Sequence, residues 1–187
     1  MQVSTRPRRS PVTHSNQNVV TFQFHRRQFM ADSRQMLDQL YPIVLAAHNL
    51  WRWVALLGVL AATLASLRGR LAGERRLLVS DRVTTIAVLV MDIQLLLGLA
   101  LYVGLSPLSR AMLTGPGAAM QSRDIRFFGM EHPFLMILAT IAVHVGKSRA
   151  RKHAAASGFR TGAVWYALSL LLMLAGTPWW RPLLRGF

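Results

Sequence analysis

The chain has 187 residues, 22 Lys plus Arg against 7 Asp plus Glu, and a formal charge of +15. Hydrophobic residues make up 52% of it and charged residues 16%, a balance far too apolar for a chain that stays unfolded. Cysteine is absent, which excludes a disulfide framework, a zinc knuckle, an iron–sulfur cluster and a thiol nucleophile.

Residues 1–29 carry Arg6, Arg8, Arg9, Arg26 and Arg27, no acid, and many Ser, Thr, Asn and Gln. They hold no apolar stretch resembling the core of a secretory signal. Two readings are open: an irregular basic arm that lies on a partner or on lipid headgroups, or an over-extended start ahead of Met30. An amphipathic lead-in with Asp32 and Asp38 then runs to Tyr41-Pro42. The expected division is a basic arm and lead-in over 1–40 and a membrane bundle over 41–187.

Four apolar runs come next, over about 43–67, 83–105, 127–146 and 162–178, with no more than one Lys, Arg, Asp or Glu each: Arg52, Asp92, Glu131 and none. Crossing the hydrocarbon takes about 20 helical residues. Three runs meet that length, and Trp179 and Trp180 extend the fourth at an interface where Trp is favoured. Pro107, Pro116 and Pro178 fall at or beyond helix ends, where they cost little. A soluble bundle would show a polar face on every helix, and these runs do not. The expected fold is all-α: an integral membrane, up-down-up-down four-helix bundle.

The connections after the first and third runs are the most basic. Residues 68–82 hold Arg68, Arg70, Arg75, Arg76 and Arg82, and residues 147–160 hold Lys147, Arg149, Arg151, Lys152 and Arg160. The positive-inside rule places both in the cytoplasm and both termini outside, for a protein of the bacterial inner membrane. Most of the net charge is then a topology signal and needs no nucleic acid to explain it; attraction to anionic headgroups is compatible with it.

Ionisable groups at membrane depth are costly, and each is a functional candidate. The first run holds His48 and Arg52, four residues apart and so on one face. The second holds Asp92 and Gln94, and the third holds Glu131, His132 and His144. His48 and His132 each lie five residues inside an outer boundary, about 8 Å deep at 1.5 Å per residue. Two histidines at matching depth on different helices are what a bundle needs to ligate a haem axially. Arg52 and Arg126 stand where a haem propionate would want a basic partner, with Glu131 beside His132. The plainer alternatives are that each histidine makes an interhelical hydrogen bond, that Arg52 pairs with Glu131 or Asp92, and that His144 is an interfacial residue. No nucleophile–base pair or phosphate loop appears, which points to an electron carrier or accessory subunit rather than an enzyme.

The segments AHNLWRWVALLGVLAA, DIQLLLGLALYVGLSP, IRFFGMEHPFL and LAGTPWWRP occur in that order. Over about residues 43–182 they resemble the small four-helix membrane proteins labelled cytochrome b in the Bacteroidetes and relatives. His48, Arg52 and Trp53 match the first motif of that family. Gln94, Leu95, Leu96, Gly98 and Tyr102 match the second, Arg126, Phe127, Glu131 and His132 the third, and Pro178 with Trp179 the last. The resemblance implies a haem b bound inside the bundle, and electron transfer through it. One departure is Asp92, which stands where the family has a histidine and is a poor haem ligand. A His48–His132 pair would survive that loss. A ligand set using the second helix would not, and would leave a cofactor-free structural subunit of a larger respiratory or photosynthetic membrane complex. The expected partners are therefore the lipid bilayer and other subunits of such a complex.

Overall fold

A computed structural model of the chain describes residues 14–72, 78–152 and 155–181, and the side chains of 21–71, 81–152 and 157–181. Arg6, Arg8, Arg9, Arg75, Arg76, His153 and Arg185 lie outside the described residues. All described regular structure is helical. Its elements are α1 (His14–Ala72), α2 (Leu78–Ala100) with a π turn (Leu101–Leu105), and three short helices α3 (Pro107–Thr114), α4 (Pro116–Ala119) and α5 (Arg123–Arg126). A second π turn (Phe127–Glu131), α6 (His132–Lys152) and α7 (Ala155–Ala175) complete the chain. Four helices are long and apolar enough to cross a membrane, within Thr21–Leu71, Asp81–Leu105, Arg123–Lys152 and Ser157–Ala175. The all-helical membrane bundle expected from the sequence is what the chain forms.

Three features differ from expectation. First, the helix before the first span begins at His14, where an irregular arm was expected. Residues 14–41 contain neither Gly nor Pro, and Ser33 Oγ donates to Phe29 O within the helix at 2.8 Å, so nothing local breaks it. Second, the connection over 106–126 is largely helical. Ser106 caps α3 by accepting from Ser109 N, with Pro107 at the first helical position, where its missing N–H costs nothing. Third, the third span starts at Arg123 rather than at Phe127 and passes through a π turn.

The chain divides into two units, Met1–Asp38 and Gln39–Phe187. Pro42 lies inside α1 and has no N–H, so the carbonyl of Asp38 loses its helical donor at that boundary. In the first unit Phe22, Phe24, Phe29 and Met36 are exposed. The second unit holds the bundle. Its core is built from small and medium residues: Ala55, Val59 and Ala62 of α1, Ala87 and Met91 of α2, Ala139 and Val143 of α6, and Tyr166 and Met173 of α7. Small residues let membrane helices approach closely, which is what drives association where lipid removes the hydrophobic effect between helices.

Glycines mark the close approaches. A Cβ at Gly58 of α1 would sit 2.8 Å from Val90 of α2, one at Gly69 of α1 2.6 Å from the Phe159 ring of α7, and one at Gly146 of α6 2.9 Å from Trp165 of α7. Polar side chains in the spans bond to a neighbouring helix or to their own backbone. Ser169 Oγ donates to Ala139 O at 2.8 Å between α7 and α6, and Trp51 Nε1 to Val90 O at 3.0 Å between α1 and α2. Lys147 reaches from α6 to α2, donating to the Asp81 carboxylate at 2.7 Å and to Thr84 and Thr85. Leu57, Leu89, Val164 and Leu171 face outward, as lipid contact requires.

Gly69→Ala should overpack the α1–α7 contact at a cost of about 1–3 kcal/mol. The thermal midpoint in detergent is then expected to fall by roughly 2–10 °C. Gly104→Ala, whose Cβ would meet nothing within 4 Å, should leave it unchanged.

Candidate functional site

A cavity of about 160 Å³ opens between α1, α2, the α3 cap and α6, within the second unit. His48, Asn49 and Arg52 enter it from α1, Gln94 and Gly98 from α2, and Tyr102 from the first π turn. Ser109 of α3, His132 of α6 and Arg181 beyond α7 complete its polar wall. The two histidines come from helices 84 residues apart in sequence (132 − 48), yet their ring centres lie 6.1 Å apart with the planes at 79°.

The His132 ring is held from two sides. Its Nδ1–H donates to Gly176 O at 2.7 Å, which leaves the lone pair of the neutral ring on Nε2. Phe127 and Phe128 flank it, with ring centres 5.8 and 6.0 Å away. Gly176 packs closely against α6, since a Cβ there would meet the end of the Met136 side chain and lie 3.2 Å from Leu135 Cβ. The carbonyl that orients His132 therefore belongs to a tightly packed backbone.

His48 is set differently. The Gln94 amide donates to its Nε2 at 3.3 Å and to its backbone carbonyl at 3.2 Å. That assignment puts the ring proton on Nδ1, which is buried with no partner among the described residues. Gln94 Oε1 is likewise buried without one. Gly98 makes the approach possible, since its Cβ would lie 3.2 Å from His48 Cε1. A buried donor and a buried acceptor, each left open, cost about 1–3 kcal/mol apiece. This site is not closed by the protein alone.

The π turns shape the cavity. Each inserts one residue per turn relative to an α-helix and so rotates the residues beyond it. Tyr102 in the first donates to Gly129 O in the second at 3.0 Å, which ties the two distorted segments together. Ser109 Oγ returns to Tyr102 O at 2.7 Å. At the rim, Arg181 pairs with Asp124 and lies over Phe128, while Arg123 stacks on Trp180 at 4.1 Å. These contacts fasten the segment after α7 to α5 and carry Arg181 into the cavity wall.

Of the polar residues singled out within the apolar runs, His48, Arg52, Gln94 and His132 meet at this cavity. Arg126 and Glu131 pair with each other at 2.7 Å across the second π turn and are not among its lining residues. The alternative pairing of Arg52 with Glu131 or Asp92 does not form: Glu131 takes Arg126, and Asp92 takes His144 at 2.8 Å. His144 is therefore bonded within a span. Sequence reading passed over Ser109 and Arg181. The Ser-Pro helix start at 106–107 was a signal that the connection folds, but nothing local shows which way it packs. Among the described residues no group of three His, Cys, Asp or Glu converges as a metal site. No known family profile, curated protein or solved structure matches the chain.

Tyr102→Phe removes the bond between the π turns. We expect a stability loss of about 1 kcal/mol and faster hydrogen exchange over 101–105 and 127–131, with α7 unaffected, read by exchange mass spectrometry.

Proposed function

We propose that this protein is an integral membrane cytochrome of b type, with haem held between α1 and α6 by His48 and His132. The observation that carries the reading is the 6.1 Å separation of the two imidazole rings inside a membrane bundle. His48 and His132 would then hold the haem iron between α1 and α6. The donor set fits in number and kind. His132 is oriented by a backbone carbonyl on its far nitrogen, the usual support for a ligating histidine. His48 would release Gln94, whose amide bonds its Nε2 in this structure. Arg52 and Arg181, both lining the cavity, would balance the propionate charge. Haem supplies one-electron redox chemistry, and the protein supplies position and electrostatics.

The resemblance of the four motifs to the membrane proteins labelled cytochrome b agrees with this reading. Asp92, at the position of the family's additional histidine, bonds His144 and does not line the cavity, so it would be no ligand here. The positive-inside rule applied to the basic connections at 68–82 and 147–160 supports a bacterial inner-membrane orientation with the cavity in the outer half. The competing reading is a cofactor-free accessory subunit of a larger membrane complex that keeps the same bundle. Two sequence features support it: Asp92 in place of the family's histidine, and the basic N-terminal arm.

The deciding measurement is a reduced-minus-oxidised absorption spectrum of protein purified from haem-sufficient cells, with haem quantified per chain. A sharp b-type α band at about one haem per chain is expected. His48→Ala and His132→Ala should each abolish it or convert it to a high-spin spectrum. A folded, helical preparation with no band overturns the haem reading in favour of the accessory subunit.

A further inference from the structure

Asp92 of α2 and His144 of α6 form a pair that the proposed haem site does not use. His144 Nε2 lies 2.8 Å from Asp92 Oδ1, and the side chains are 51% and 40% exposed. Asp92 sits 11 residues from one end of the Asp81–Leu105 span and 13 from the other, about 16 and 20 Å along the helix. On α6 the same count puts His144 21 residues from Arg123 and 8 from Lys152, so the pair lies within both spans, nearer the end of α6 that carries the basic 147–152 segment. Around it Leu89, Leu96, Ile137 and Ile141 are all exposed. The spacings 89–92–96 and 137–141–144 put the pair and these four residues on one outward face.

Ionisable groups at this depth nearly always face a bundle interior or another protein, because lipid offers them no hydrogen-bond partner. His48, Arg52 and His132 line the cavity, and Arg126 pairs with Glu131. The α2–α6 face presents an outward carboxylate and imidazole instead. Its chemistry is self-complementary. With His144 Nε2–H given to Asp92 Oδ1, the ion-paired form has a second donor, His144 Nδ1–H, and a second acceptor, Asp92 Oδ2. The hydrogen bonds of the structure use neither. A two-fold axis along the membrane normal keeps every residue at its own depth. Asp92 and His144 touch within one copy, so they share one depth, and such an axis can bring each onto the other's counterpart.

We propose that the α2–α6 face is the interface with a second copy of this chain. In that dimer His144 Nδ1–H of each copy donates to Asp92 Oδ2 of the other, closing a symmetric four-residue ring. The flanking leucines and isoleucines pack α2 of one copy against α6 of its partner. The inference is independent of haem.

The chain has no cysteine, so engineered ones report without background. Two differently tagged full-length copies are co-expressed, one carrying Leu96→Cys and the other Ile141→Cys, positions on facing helices at similar depth. Mild oxidation in membranes should yield a cross-linked dimer. Leu171→Cys on the outward face of α7, paired with itself, should not. Adding His144→Ala, or Asp92→Asn as the variant of unchanged shape, should raise the dimer dissociation constant roughly ten-fold through loss of the two bonds. The thermal midpoint of each variant checks that the bundle still folds. A monomer in lipid nanodiscs overturns the proposal. So does cross-linking indifferent to both variants, or at Leu171 as readily as at this face, or of Leu96→Cys to a different polypeptide.

Discussion

In hydrocarbon a polar group can bond only to other protein groups, and the architecture of this chain reflects how it meets that constraint. Backbone groups are satisfied within helices. Side-chain groups in the spans are satisfied across helices, as with Ser169 to Ala139 O, Trp51 to Val90 O and His132 to Gly176 O. Each of these bonds requires two helices at a set rotation and depth. Glycines at 58, 69 and 146 provide the close approach that makes those bonds reachable.

The exceptions to complete satisfaction carry the functional argument. His48 Nδ1 and Gln94 Oε1 are buried without a hydrogen-bond partner among the described residues, on residues that line a cavity with His132, Arg52 and Arg181. On the far side of the α2–α6 contact, Asp92 and His144 satisfy each other only in part. The first pair of open atoms faces inward, where a cofactor would sit. The second faces lipid, where another copy would sit. Both are high-stakes arrangements, because an unmet polar group in a low dielectric costs more than a met one contributes.

The two π turns explain why the site takes its shape. Each leaves the α register at a position flanking the cavity, and Tyr102 joins them through Gly129 O. The second ends where His132 begins α6. A histidine placed by ideal helical counting from Phe127 would be turned away from its position here by about one residue's rotation. The connection 107–126, folded into short helices, adds Leu108 and Ser109 to the wall and holds the segment after α7 through Asp124.

The apolar runs of the sequence were enough to establish four spans and an all-helical membrane bundle, because crossing hydrocarbon is a requirement on each segment alone: about 20 apolar residues, with prolines at the ends. Matching depth for His48 and His132 was legible for the same reason, since depth is a count along one helix. Which side chains meet was not legible. Rotation depends on the π turns and on glycine contacts between residues 19 to 90 positions apart in the chain. Only the tertiary structure therefore paired Glu131 with Arg126 and Asp92 with His144, and brought Gln94 and Arg181 to the cavity of the two histidines.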